Sequence, residues 1–596
     1  MRRVAAPVGL LALLASLFAA VGVTSPSATA APAYAVQTLY FHVTVGPGDD
    51  QDCTIIGDVY VPESASAEPA PAILTTNGFG GSKDDQAGIG AAFAERGYVV
   101  LSYSGLGFGG SGCRITLDHP DWDGKAGRQL VSYLGGADGI AFLDEAGTQP
   151  APTLDVVALD GPGDPRVGTL GGSYGGGSQF ATASVDDRVD TLVPLITWND
   201  LSYSLGPNNT DQSVGVSTTT PGSIKFNWGL GFSALGMASD LQNQQVPPDL
   251  LPCPNFADFV CPALVTAGTT GFFQPQHVAK LRAASVGSYI DRIDVPVLLI
   301  QGQHDTLFNL NEAVATRDAL RANGVPVTMI WQSWGHSGGT VPGELDLADP
   351  DPATQYITGR VVDWFDHHLR GADVDTGPPF AYFRDWVAYD GNARPAYGKA
   401  GRYPVGREQV WRLSGDGALV TGTEPTRRGQ QRFLTPAAGL PTSFDEADVV
   451  EQVQDLPLEQ VGDLPGTFAS WTSAPMADPL DVVGTPTASL RVQAPTAALT
   501  QGAGQLGKLV LFVKVLDVAP DGTASTIKAL EAPVRVPDVR QRFDVTLPGI
   551  VHRFEPGHRV RFVVAGGSLN YRGGVTSNPV TIAGGEEQTL RLPVVR

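Results

Sequence analysis

Along this chain the spacing of hydrophobic residues changes character several times, and each change predicts a different kind of structure. Residues 36–62 hold two stretches in which apolar and polar positions alternate, the pattern of antiparallel strands covered on one face. From residue 71 the apolar positions gather into short continuous runs at 71–76, 98–103, 191–196, 295–300 and 325–331, with one more that ends at Gly171. Runs of that length without a polar face suit strands buried on both sides. Helical periodicity at 87–96, 124–134 and 311–323 lies between them, so the pattern predicts a mostly parallel sheet covered by helices. An amphipathic helix at 356–369 closes this part.

The alternation breaks off for ~90 residues after 197, far more than a connection between a strand and a helix needs. That insert, 198–285, mixes aromatics, prolines and short helical patterns, and following a central strand it is expected to form a helical cap over the edge of the sheet. Within it Trp198, Asn199, Asp200 and Tyr203 stand nearest the sheet and are candidate substrate-binding residues. Beyond residue 400 the strands become short and alternating, as at 488–492, 508–516 and 559–564, with proline and glycine between them, a sandwich pattern. The partition is therefore 31–197 with 286–385 for the sheet and its helices, 198–285 for the cap and 400–596 for the sandwich.

Arg2-Arg3, an apolar run over 4–23 and Ala28-Thr29-Ala30 read as a secretory signal peptide covering 1–30, with an uncleaved anchor as the alternative. No later stretch is apolar for about 18 residues, so no membrane association is expected after cleavage. A net charge of −22 argues against nucleic acid or an anionic membrane as partner. The four cysteines, Cys53, Cys113, Cys253 and Cys261, are an even number in an exported chain and predict two disulfides. Of the three possible connectivities, Cys253 with Cys261 as a local clip and Cys53 with Cys113 is favoured. No metal site is expected, since no C-x-x-C or H-x-x-x-H spacing accompanies them.

The chemistry enters at Gly171-Gly172-Ser173-Tyr174-Gly175. A G-x-S-x-G that closes an apolar run and opens a helix-like stretch, 179–184, has the layout of a nucleophile elbow, in which small residues let a strained serine stand clear of the sheet. With 72 glycines the motif can arise by chance, and the chain holds its own controls. Ser82, Ser111 and Ser568 begin the pattern but meet Asp84, Cys113 and Asn570 where the closing glycine belongs. Ser337 completes it inside a loop, with no helix after it. A serine nucleophile needs a base and a carboxylate to orient that base. In an α/β-hydrolase these follow as Asp and then His at the ends of later strands, and Asp305 and His336 occupy those places. His304 competes as base, but it precedes the acid and breaks the order. His119, His277, His367 and His368 follow no strand of the sheet. The glycine-rich turn Asn77-Gly78-Phe79-Gly80-Gly81 is where a second oxyanion donor is expected.

These residues, with Ser470-Trp471-Thr472-Ser473-Ala474-Pro475-Met476, residues 511–522 and His552-Arg553-Phe554-Glu555-Pro556-Gly557-His558-Arg559, resemble the X-Pro dipeptidyl-peptidase and cocaine-esterase group of α/β-hydrolases. The resemblance covers nearly all of the chain after the signal segment. It implies an α/β-hydrolase domain with a helical cap, a C-terminal jelly-roll β-sandwich, a small-molecule or peptide substrate and no cofactor. It further implies a secreted Ser-His-Asp hydrolase that releases X-Pro dipeptides, with an acyl esterase as alternative and an idle glycan-binding protein as a remote one. One position departs from the pattern. The esterase branch uses a tyrosine hydroxyl as an oxyanion donor, and here that place falls on Phe79, so the backbone N–H groups of Phe79 and Tyr174 are the expected pair.

Overall fold

The computed structural model describes residues 33–225, 228–229, 231–232, 236, 254–444 and 462–595. The expected signal peptide lies outside them. Within them no helix is long and apolar enough to cross a membrane.

The first domain is built on a sheet of 11 strands. The two alternating stretches form β1 (Tyr34–Val45) and β2 (Gln51–Pro62), an antiparallel pair with Tyr34 opposite Pro62 and Val45 opposite Gln51. The continuous apolar runs become β3 (Ala72–Thr76), β4 (Val99–Tyr103), β6 (Val167–Gly172), β7 (Val189–Leu195), β8 (Val297–Gly302) and β9 (Val327–Gln332). With β5 (Ala141–Phe142), β10 (Phe380–Phe383) and β11 (Tyr397–Ala400), the order across the sheet is β11-β10-β9-β8-β7-β6-β3-β4-β2-β1-β5. Every pairing from β4 through β10 is parallel, and the flanking strands run antiparallel. The parallel strands therefore all present their carboxyl ends, and the loops that follow them, along one edge.

Both faces of this sheet are covered, which is why its strands read as unbroken apolar runs. On one face α1 (Ala87–Glu95) and α8 (Tyr356–Arg370) pack Phe93, Trp364 and Phe365 against Ile73, Leu170, Val193 and Ile300. On the other, α2 (Lys125–Leu134), α3 (Tyr174–Ala183) and α7 (Leu310–Ala322) cover Leu74, Leu101, Leu192, Leu299 and Met329. Neighbouring residues of one strand, such as Ile73 and Leu74, belong to different cores because side chains alternate across a strand.

The insert between β7 and β8 carries α4 (Leu201–Leu205), a hairpin of Gln212–Val214 with Ser217–Thr218, α5 (Val260–Thr270) and α6 (Pro275–Ala283). The C-terminal part is a β-sandwich with a core of its own, in which Trp411, Trp471, Leu490, Val513, Phe562 and Leu590 meet. Its motif histidines are structural. His552 Nε2 lies 3.0 Å and His558 Nδ1 2.9 Å from the two oxygens of Asp517, tying the Ile550–Phe554 strand and the turn that follows it to the Val510–Val518 strand. Burial raises the Asp517 pKa, and the two histidines outweigh it and hold the carboxyl below its ordinary range. The sandwich docks on α7 through Asn311, whose side chain donates to Leu547 O at 2.9 Å and accepts from Gly549 N at 3.1 Å and Thr485 Oγ1 at 2.8 Å.

Cys53 and Cys113 form a disulfide across a sequence separation of 60. Cys261 is also disulfide-bonded, and Cys253, its expected partner, lies outside the described residues. Closing the Cys53–Cys113 loop removes chain entropy from the unfolded state worth about 4 kcal/mol. Peptide mapping without reductant should recover Cys53 joined to Cys113, and the Cys53→Ala/Cys113→Ala pair should lower the Tm by several degrees in a thermal scan.

Candidate active site

Ser173 joins β6 to α3 with φ 56° and ψ −116°, a conformation L-residues rarely adopt. The glycines around it are what let the chain take this turn. A Cβ on Gly175 would lie 2.4 Å from Thr76 O, and one on Gly171 would lie 2.8 Å from Gly175 O. Gln179, in the second turn of α3, braces the elbow from below. Its Nε2 donates to the carbonyls of Gly171, Gly175 and Val193 at 3.0, 3.1 and 3.2 Å, while its Oε1 accepts from Val193 N and Thr169 Oγ1. The helix starts at Tyr174 rather than at 179, because Gly175 is wedged against the end of β3, Gly176 against the end of β7 and Gly177 against Asp118 and Trp198, so packing overrides their poor helix propensity. Its positive end consequently lies directly beside the serine.

His336, in the loop after β9, places Nε2 2.8 Å from Ser173 Oγ and Nδ1 2.7 Å from Asp305 Oδ2. Asp305, in the loop after β8, is fully buried, and its other oxygen accepts from Leu307 N at 3.0 Å and Phe308 N at 2.7 Å. Those two amides fix the carboxylate, and the carboxylate fixes the imidazole with Nδ1 as donor and Nε2 free to take a proton from the serine. Phe308 and Trp228 stand edge-on to the ring at 5.0 and 6.0 Å.

The rival residues are occupied elsewhere. His304 packs on Gly338, where a Cβ would lie 2.4 Å from its Nδ1, and burial, with Lys528 nearby, lowers its pKa to about 4. Ser337 is buried and bonds through its hydroxyl to Thr306, stitching the Asp305 loop to the His336 loop. Neither reaches the elbow.

The turn after β3 is fixed by Asn77, which donates to Gly78 O at 2.7 Å and accepts from Gly105 N at 2.9 Å. It brings Gly78 against Ser173, with a Cβ there 3.9 Å from the serine Cβ. Among the described residues neither Phe79 N–H nor Tyr174 N–H has an acceptor. The Phe79 ring packs on Phe108, Phe232 and Tyr174, with ring centres 5.2, 5.0 and 6.0 Å away, and it forms wall rather than donor.

A cavity of about 150 Å³ opens beside Ser173 between the sheet edge and the cap. Phe79, Tyr174, Trp198, Phe232, Phe256, Phe273 and Phe308 line it together with aliphatic residues of the cap. Lys225 is the charged residue in the described lining, which holds no carboxylate. That ammonium bonds to Thr306 O and, at 2.7 Å, to Leu307 O, so it straps the acid loop to the cap, a role its isolated place in the sequence does not signal.

Of the four residues expected to bind substrate, Trp198 lines the cavity. Asn199, Asp200 and Tyr203 do not, because their polar groups anchor the base of the cap. Asn199 N and Asp200 N donate at 2.7 and 3.1 Å to Glu312, and Ser204 Oγ donates to the same carboxyl at 2.5 Å. Asp200 also accepts from Ser202 N, caps α4 and pairs with Arg282 at 3.2 Å. Tyr203 donates to Asn209 Oδ1 at 2.9 Å. A polar residue at the start of an insert serves attachment as readily as recognition, and sequence does not separate the two.

Behind the elbow lies a buried acidic pair absent from the sequence reading. The Tyr174 hydroxyl accepts from Asp118 N at 3.1 Å and donates to Asp123 at 3.4 Å, which ties the residue after Ser173 at its far end. Burial raises the Asp123 pKa to about 6 and drives Asp118 well above its usual range, with Asp123 adding to it. The stability that neutral Asp123 contributes is complete below its unfolded pKa, about 4, and is lost as pH rises through the folded value, an effect on the order of 3 kcal/mol. Asp123→Asn, which cannot ionise, should match the wild-type Tm near pH 4 and exceed it by a few degrees at pH 7–8 in thermal scans across that range.

The first domain and the sandwich are each matched by a family model, X-Pro dipeptidyl-peptidase (S15 family) over residues 53–220 and X-Pro dipeptidyl-peptidase C-terminal non-catalytic domain over 399–589. Among solved structures, the chain resembles an aminopeptidase from a marine sediment Thaumarchaeota archaeon (TM-score 0.64, 13% identity, 96% of this chain and 99% of that one). It also resembles a CocE/NonD family hydrolase from Staphylococcus aureus (TM-score 0.58, 12% identity, 94% and 97%). At these identities the likeness is one of fold. A curated relative, bis(hydroxyethyl) terephthalate hydrolase of Streptomyces coelicolor, is 25% identical over 143 residues, a match that takes in 24% of this chain and 38% of that protein's length. With its first domain and its sandwich matched by the two models of one family, the chain belongs to the X-Pro dipeptidyl-peptidase family of α/β-hydrolases.

Proposed function

We propose that the protein is an exported serine hydrolase with Ser173 as nucleophile, His336 as base and then acid, and Asp305 as the group that orients His336. The observation that carries this reading is the continuous line from Asp305 Oδ2 through the His336 ring to Ser173 Oγ, with contacts of 2.7 and 2.8 Å. In the first half-reaction Ser173 Oγ attacks the carbonyl carbon while Nε2 takes its proton, and the oxyanion is received by the Phe79 and Tyr174 N–H groups. The imidazolium returns that proton to the leaving group and an acyl-enzyme remains. Water, deprotonated by the same nitrogen, then releases the acid. Segment 1–30 and the Cys53–Cys113 disulfide support export.

The cavity favours a carboxylic ester with a compact apolar acyl group. An X-Pro peptidase must hold a free N-terminal ammonium, and moving that charge beside aromatic walls with no carboxylate among the described lining is strongly unfavourable. The curated relative is named for bis(hydroxyethyl) terephthalate, itself an ester. The X-Pro reading retains the support of the family models and of a wall apolar enough for a proline ring.

Ser173→Ala should abolish labelling by a fluorophosphonate probe and lower kcat by about 10⁴-fold or more in a folded protein, and His336→Ala should be comparably severe. His304→Ala should retain most activity. Labelling of the folded Ser173→Ala variant, or a His304→Ala loss that matches it, overturns the assignment. Assayed side by side, an aryl or alkanoyl ester should be turned over at least about tenfold more efficiently than an X-Pro chromogenic amide. The reverse order restores the peptidase reading.

A further inference from the structure

The C-terminal sandwich sends one arginine into the join between itself and the cap. Arg535 ends the strand Ala532–Arg535 and is only 2% exposed. Its guanidinium meets no carboxylate among the described residues. It donates instead to backbone carbonyls, from Nε to Pro221 O at 3.0 Å, from Nη1 to Gln505 O at 2.9 Å, and from Nη2 to Gly222 O at 3.2 Å and Gly271 O at 3.5 Å. The guanidinium carbon sits 4.9 Å from the centre of the Phe272 ring. Burial lowers its pKa to about 10, which leaves it protonated at neutral pH.

The segments so held are the back of the cavity wall. Gly271 O, which takes Arg535 Nη2, also accepts from Ile224 N at 3.2 Å, and Lys225 N donates to Leu205 O at 2.9 Å. Ile224, Lys225 and Leu205 line the cavity, as does Phe273, the residue after the ring under the guanidinium. A second sandwich loop closes the same place, with Arg572 N donating to Ile224 O at 3.0 Å. Gly271 takes φ 84° there, and a Cβ on it would lie 3.3 Å from the Arg572 side chain.

We infer that Arg535 is a specificity-positioning residue, which acts from the C-terminal domain through Gly222, Gly271 and Phe272 to set where Ile224 and Phe273 stand in the acyl cavity. A planar fork of fixed donors locks several carbonyls at set separations, something a lysine, with one ammonium on a flexible stem, cannot reproduce. An acyl group small enough to stay near Ser173 is indifferent to this wall, and a large one is not. The inference rests on the cavity being the acyl site.

Its test uses the full-length exported protein, wild type, Arg535→Lys and Phe272→Leu, each standardised by the concentration of sites titrated with a fluorophosphonate. Two measurements are made, inhibition by methylboronic and phenylboronic acids and the ratio of kcat/KM for benzoyl and acetyl p-nitrophenyl esters. The wild type should prefer the phenyl and benzoyl groups, and in the variants that preference should shrink by at least about fivefold while the methyl and acetyl values stay within about twofold. Loss of structure alone would lower the titrated fraction and leave the ratio unchanged. A wild-type preference that survives in both variants overturns the inference alone. A wild type without such a preference overturns the acyl-site reading and the inference with it.

Discussion

The carbonyl oxygen of Thr76 would lie 2.4 Å from a Cβ on Gly175, and the geometry of the whole site depends on that contact being open. Ser173 can hold φ 56° only if the strand before it and the helix after it run close together, and they do so through glycines at 171 and 175. Such a backbone conformation costs on the order of 1–3 kcal/mol and persists where surrounding structure over-determines it. Here Gln179 does so, reaching carbonyls of β6, α3 and β7 from one side chain. The same close approach brings the end of β3, and with it the Phe79 turn, against the serine, so one packing constraint sets both the candidate nucleophile and the candidate oxyanion donors.

The parallel sheet makes the remaining placements follow. Strands β6, β8 and β9 end on one edge, and the loops after them deliver Ser173, Asp305 and His336 to a common point from positions far apart in the chain. Asp305 stays buried because two amides and an imidazole satisfy its oxygens, whereas an unpaired carboxylate there would be costly. Lys225, Ser337 and Thr306 then bind the acid loop to the cap and to the base loop. The cap is held in turn from two directions, by Glu312 beneath its first helix and by Arg535 of the sandwich behind it. The domain whose family model is described as non-catalytic is thus continuous with the wall of the cavity.

Local pattern carries much of this. An unbroken apolar run records burial on both faces, so the parallel core could be read without coordinates, and the change to short alternating runs after residue 400 marked the sandwich. Ser173, Asp305 and His336 stand out because each follows such a run and their order along the chain suits one edge. Cys53 and Cys113 were harder, since spacing alone admits three connectivities. Periodicity marks the helix after the elbow only at 179–184, whereas it starts at Tyr174, because close packing at Gly175, Gly176 and Gly177 overrides glycine's low helix propensity.

What the sequence by itself determined was therefore whatever depends on periodicity and chain order: the buried parallel strands, the glycine-flanked Ser173 between a strand and a helix, and the order in which Asp305 and His336 follow it. Tertiary structure alone decided which polar side chains face the cavity and which face their neighbours. Trp198 and Asp200 are two residues apart, yet one lines the site and the other caps a helix and pairs with Arg282. Arg535 meets carbonyls of Pro221 and Gly271 that lie hundreds of residues earlier. Hydrogen bonds and desolvation act over a few ångströms of space, and a linear pattern holds no record of which distant segments come within that range.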